Sequence, residues 1–121
     1  MDAPITPGDW RYAAGTAMFA APDGSALLTL RCAGGTVTIE RSGIGNEFAP
    51  SLTLRSETVS RALSSTAGAP SGTTTASLPA QDALLDAIAF SKGRFAVESA
   101  GLPTLYIPSY PEVTRVIEDC R

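Results

Sequence analysis

The sequence predicts a β-rich α+β domain. It should be a small antiparallel β-barrel or sandwich of seven or eight strands, with a helix near 80–91 and a short C-terminal helix near 110–120. Three observations lead there. Short apolar runs of alternating pattern, separated by Gly- and Pro-bearing turns, fill most of the first two thirds. Two later stretches switch to helical spacing and carry helix end signals. The composition, 44% hydrophobic and 17% charged over 121 residues, suits one folded domain with a real core rather than a disordered chain.

Residues 1–9, "MDAPITPGD", read as a polar, proline-bearing lead-in, loosely ordered, before a single domain over 10–121. "WRYAAGTAMFAA" (10–21) reads as one strand buried on both faces, with Tyr12, Ala14, Thr16 and Met18 on one side and Ala13, Gly15, Ala17 and Phe19 on the other. Pro22-Asp23-Gly24 is a turn, because proline presets φ and glycine accepts φ > 0. "ALLTLRC" puts Leu28, Leu30 and Cys32 on one face, "TVTIER" turns Val37 and Ile39 inward, and the "AGG" between them makes a hairpin. "SGIGNEFAPS" is a loop, "LTLR" a strand, and "ETVSRALSS" fits either a helix or a strand edge. "TAGAPSGTTT" has the composition of a loop tip.

In "PAQDALLDAIAFSKG", Leu84, Leu85 and Ile88 form a stripe, Asp82 sits in the first turn, Lys92 in the last, and Gly93 just beyond. "RFAVES" and "LPTLYIP" are strands around Ala100-Gly101. "SYPE" (109–112) fits a capping box with Ser109 at the N-cap and Glu112 three residues on. Val113, Val116, Ile117 and Cys120 then follow at i, i+3, i+4, i+7, so Cys120 faces the core.

Both cysteines, Cys32 on a strand and Cys120 on the final helix, therefore point inward. They form either a disulfide or two buried free thiols. As a crosslink the pair would close an 88-residue loop, worth roughly 4–5 kcal/mol in the chain-entropy model. A disulfide implies an oxidising compartment, periplasmic or extracellular. No leader is visible in this chain, and no stretch approaches the length of a membrane span. The expectation is a mature region whose leader is absent, the alternative being a cytosolic protein.

The chain has no histidine and one lysine, Lys92. Ser-His-Asp and Cys-His mechanisms are thereby excluded within it, as are metal sites that need histidine or several cysteines. No catalytic residue, metal site or cofactor is expected. The net charge is −3 and the arginines are dispersed, which argues against nucleic acid. "GIGNEF" (43–48) lacks the third glycine of a phosphate-binding loop, and Ser91-Lys92 lacks the spacing of a Ser/Lys pair. Asp82 and Asp86, at i and i+4, could serve as acid and base, though such pairs more often form a solvated face. Glu118-Asp119 oppose the dipole of the last helix, with Arg115 and Arg121 as candidate partners. Among the aromatics, which are core by default, Trp10, Tyr106 and Tyr110 are the candidates for an exposed interaction surface.

The stretches "LLTLRCAGGTVTIERSG" and "LLDAIAFSKGRFAVESAGLPTLYIPSYPEVTRVIEDCR" resemble an uncharacterised family of small bacterial envelope proteins. That resemblance implies a secreted or lipid-anchored precursor, and it carries no assigned chemistry. The layout of short strands with a strand cysteine tied to the C-terminus is also similar to periplasmic inhibitors of C-type lysozyme. No stretch here matches their inhibitory loop, so an architecture carries over and an activity does not. The expected function is a non-enzymatic envelope protein that binds a protein or cell-wall partner. The alternatives are a small hydrolase or transferase using carboxylates, and a structural accessory domain of a larger assembly.

Overall fold

A computed structural model describes residues 4–45, 50–68 and 72–121. The glycine-containing segment 43–48 and the tip around 66–75 fall partly outside these. The described residues form ten strands and two helices, arranged as two antiparallel sheets that do not close into a barrel.

The N-terminal half builds the larger sheet from consecutive hairpins. The stretch expected to be one strand is two, β1 (Asp9–Ala13) and β2 (Thr16–Ala20), paired in register from Asp9↔Ala20 to Ala13↔Thr16. The two residues between them, Ala14 and Gly15, both have positive φ, 37° and 79°. That is the conformation of the tight hairpin turn whose twist matches its strands. Alanine rarely adopts it, so "AG" inside an alanine-rich run gave no turn signal. The break also reassigns the faces. Trp10 and Tyr12 sit opposite Phe19 and Ala17 on the core side, while Arg11 and Met18 face outward.

β3 (Ala26–Ala33) and β4 (Thr36–Ser42) form the expected hairpin, tightened to a two-residue Gly34-Gly35 turn with φ of 57° and 76°. Leu28, Leu30, Val37 and Ile39 are buried as expected. β5 (Leu52–Arg55) follows, and the ambiguous "ETVSRALSS" resolves as β6 (Ser60–Leu63). The supposed loop tip contains all of β7 (Thr66–Gly68) and the start of β8 (Thr73–Pro79), which pairs with β4 from Thr36↔Pro79 to Ser42↔Thr73. Its inward residues are Thr74, Ala76 and Leu78. Two of the three are small or hydroxylated, which hides a strand whose β-branched threonines suit a pleated surface. The larger sheet runs β1-β2-β3-β4-β8-β7.

The smaller sheet runs β10-β9-β5-β6, where β9 is Arg94–Glu98 and β10 is Leu105–Pro108. Ahead of β1, Thr6 N–H donates to the Tyr106 carbonyl and Tyr106 N–H donates to Thr6 Oγ1, both at 2.9 Å, so the lead-in is fastened to β10 from Thr6 onward.

Helix α1 (Ala83–Ala89) is shorter than the expected 80–91. Asp82 caps it, accepting from Leu84 N–H at 2.9 Å, and Lys92 lies beyond its end rather than in its last turn. Helix α2 (Pro111–Cys120) starts one residue later than the capping-box reading, with Tyr110 at the N-cap and no side-chain cap bond. Ser109 is already engaged elsewhere. Its N–H donates to the Gly93 carbonyl and its hydroxyl to the Ile88 carbonyl, which ties the start of α2 to the end of α1.

α2 lies across the inner face of β1 to β4 and also packs on α1. Val113, Val116, Ile117 and Cys120 are buried. Cys120 forms a disulfide with Cys32 of β3, with 5.5 Å between their Cα atoms. Tyr12 donates to the Asp119 carboxylate, and the Arg115 guanidinium stacks 4.1 Å over the Tyr12 ring. This gives Asp119 a role that helix electrostatics alone did not suggest. Apolar side chains of both sheets and both helices join in one core.

Arg41 joins the sheets. It lies on the inward face of β4, opposite Leu28, and is 3% exposed. Its guanidinium donates to the carbonyls of Ser42 at 3.3 Å, Val97 at 3.2 Å and Pro103. Among the described residues no carboxylate pairs with it. Burial pulls its pKa below the usual arginine value, and carbonyl dipoles supply the compensation that a counterion would give.

Two stability tests follow. Cys120→Ser should cost about 2–4 kcal/mol, lower Tm by on the order of 10 °C under oxidising conditions, and speed hydrogen exchange across 111–120. A variant melting like the parent would show that the crosslink does not hold α2. Arg41→Ala should cost about 3 kcal/mol in urea unfolding, because it strands the buried Val97 carbonyl, removes the donor to two part-buried ones and opens a cavity. A loss below about 1 kcal/mol would mean water replaces the guanidinium at little cost.

Candidate functional site

A concavity lies between α1 and the turn that joins β5 to β6. Ser56 folds that turn. Its N–H donates to the Val59 carbonyl at 2.7 Å, and its hydroxyl oxygen accepts from Thr58 N–H and Val59 N–H at 3.2 and 3.0 Å. The turn is then pinned to the far end of α1. Glu57 N–H donates to Ser91 Oγ at 3.0 Å, Ser91 Oγ donates to the Arg94 carbonyl at 2.6 Å, and Lys92 N–H donates to Glu57 Oε2 at 3.2 Å.

Between turn and helix is an open cleft of about 380 Å³, lined by Glu57, Thr58, Ala83, Asp86, Ala87, Phe90 and Ser91. Ala83 and Ala87 are four residues apart on one helical face, so small side chains leave the helix surface accessible. Phe90 is 76% exposed and Val59, in the adjoining turn, is 44% exposed. An exposed phenylalanine beside an alanine floor is the feature that helix packing does not explain. The charged members of the lining, Glu57 and Asp86, are both acidic.

The sequence signal for Phe90 was available. It lies two residues past Ile88, roughly 200° around the helix from the Leu84/Leu85/Ile88 stripe. Phenylalanine is most often a core residue, so its residue type alone points the other way. Val59 gave no such signal, since its exposure depends on where the Ser56 turn places it.

The three aromatics selected from sequence are not brought into one patch. Trp10 is 8% exposed, packs edge-on to Phe19 at 5.5 Å between ring centres, and donates its indole N–H to the Pro108 carbonyl at 2.8 Å. It belongs to the core. Tyr106 is half-buried on β10, and Tyr110, at the start of α2, is 53% exposed.

Asp82 and Asp86 do not act as a pair. Asp82 caps α1 and accepts from Arg61 Nη2 at 2.6 Å. Asp86 Oδ1 lies 2.9 Å from Arg121 Nη2, and Arg121 Nε donates to the Ala80 carbonyl. The Leu84 N–H, with Arg61 second, holds the Asp82 carboxyl below the usual carboxylate range. The Ser91 hydroxyl is committed to the Arg94 carbonyl rather than to Lys92. Among the described residues no group of three or more His, Cys, Asp or Glu side chains is arranged to hold a metal, and no helix is long and apolar enough to cross a membrane.

The depressed Asp82 pKa has a defined consequence for stability. A carboxylate whose folded pKa lies below its unfolded value stabilises fully above the unfolded value, near 3.8, and loses that contribution as pH falls through the folded one. Asp82→Ala should therefore melt below the parent at pH 7, by about 1–2 kcal/mol from the lost cap and ion pair. Asp82→Asn keeps a capping oxygen and should lose less. The Asn deficit should shrink when melting is followed below the usual carboxylate range, and a deficit unchanged with pH would refute the charge contribution.

Comparison of this chain with protein-family models, with curated proteins and with solved structures finds no match.

Proposed function

We propose that this chain is a non-enzymatic binding domain that works outside the cytosol, in the periplasm or beyond it. It captures a protein component of the envelope in the cleft between α1 and the Ser56–Val59 turn. The observation that carries this reading is Phe90, 76% exposed at a concavity floored by Ala83 and Ala87. Leaving a phenylalanine in water forgoes roughly 1.5–3 kcal/mol of burial, which a partner surface would recover. Glu57 in the lining, which is in no ion pair among the described residues, favours a segment that presents an apolar side chain beside lysine or arginine. The compartment is supported by the intramolecular Cys32–Cys120 bond, a type of crosslink that persists where the redox poise is oxidising.

The test uses labelled protein and two synthetic peptides. One carries a central leucine or phenylalanine flanked by lysines, the other the same residue flanked by glutamates. The lysine peptide should shift the amide resonances of Ala83, Ala87 and Ser91, and the effect should weaken as salt is raised. Phe90→Ala, a surface change that leaves the fold intact, should reduce the affinity by roughly tenfold. Equal binding of both peptides, or resonance shifts away from this cleft, would refute the reading.

A further inference from the structure

The outer edge of β1 is open. β1 ends the six-stranded sheet, and among the described residues no backbone group hydrogen-bonds to its far side. The edge of the other sheet on this side of the chain, β10, is treated differently, because Thr6 occupies it. The direction of the free groups on β1 follows from register. Ala13↔Thr16 flanks a two-residue turn, so Ala13, Arg11 and Asp9 exchange their hydrogen bonds with β2. Trp10 and Tyr12 then point N–H and C=O outward. Natural edge strands are commonly blunted by charged side chains, proline or bulges. The charges on β1 are Asp9 and Arg11, of opposite sign, both exposed on the outer face, and neither is in an ion pair among the described residues.

We infer that β1 pairs antiparallel with β1 of a second copy of this chain, about a two-fold axis at Trp10, joining the two six-stranded sheets into one. Three registers of a self-paired β1 bring at least three of its residues into pairing, those with the axis at Trp10, Arg11 or Tyr12. An axis at Arg11 sets two guanidinium groups directly opposite each other, which is repulsive. An axis at Tyr12 places Arg11 against Ala13 and runs Trp10 into the turn at Ala14, where φ is 37°. An axis at Trp10 sets Asp9 of each copy opposite Arg11 of the other, so the charges complement each other twice by symmetry. The Trp10 backbones then exchange both hydrogen bonds.

Sedimentation equilibrium over a range of protein concentrations tests this directly. The parent should associate to a dimer. Arg11→Asp faces carboxylate with carboxylate at both symmetric positions and should raise the dissociation constant roughly tenfold or more. The double variant Asp9→Arg/Arg11→Asp restores opposite charges in the same register and should recover the dimer, while Phe90→Ala should leave it unchanged. Circular dichroism confirms that each variant is folded. A parent that stays monomeric at every soluble concentration overturns the inference. So does an Arg11→Asp protein that dimerises like the parent, or a double variant that fails to recover.

Discussion

The disulfide between Cys32 and Cys120 is the constraint on which the remaining architecture rests. The larger sheet has an apolar inner face, and ten residues of α2 cover its first four strands. A helix of that length is marginal by itself. Its three buried aliphatic residues compete with the entropy of ordering the segment. The crosslink to β3 shifts that balance by restricting the unfolded chain, and the Tyr12–Asp119 bond with Arg115 over the ring adds a second attachment on β1. The consequences reach the cleft. Arg121, one residue past Cys120, holds both the Ala80 carbonyl and Asp86, so the position of α1 depends in part on the end of α2 being in place.

Arg41 solves a different problem. The four-stranded sheet meets the larger one near β4 and β8, where the carbonyls of Val97 and Pro103 turn toward Arg41. Apolar packing would leave those carbonyls without donors. A guanidinium reaches several at once because its N–H groups fan out in a plane. The charge is costly to bury, and its value lies in direction. The placement of β9 and its connection to β10 presents the Val97 and Pro103 carbonyls to the same side chain. Such buried polar links specify one arrangement of packed layers, whereas apolar contact alone tolerates several.

The cleft and the free edge draw on different physics. At α1, small side chains and a turn closed by Ser56 expose an aromatic ring beside carboxylates, and recognition there would rest on apolar burial with electrostatic selection. At β1, recognition would rest on backbone hydrogen bonds, with side-chain charge deciding the register. Both follow from the same local economy. Short strands joined by tight turns leave edges and helix flanks uncovered unless another segment reaches them, as Thr6 reaches β10.

Residue pattern alone determined the β-rich α+β class, the β3–β4 hairpin with Leu28, Leu30, Val37 and Ile39 inward, the apolar face of α2, and the inward aim of both cysteines. Each of these is written locally, in alternation, helical spacing or turn chemistry that needs no distant partner. Tertiary structure decided the rest. The Ala14-Gly15 turn exists because β1 gains more by folding back on β2 than alanine loses at positive φ. β8 is a strand because β4 offers its whole edge to a segment whose own small, hydroxylated residues do not signal burial. Ser109 left its capping role because the Ile88 carbonyl lies within its reach, Trp10 turned inward because Phe19 and Pro108 surround it, and Phe90 turned outward because Leu84, Leu85 and Ile88 already fill the core-facing side of α1. Where a residue's partners lie near it in the chain, the sequence states its role; where they lie tens of residues away, only the fold brings them together.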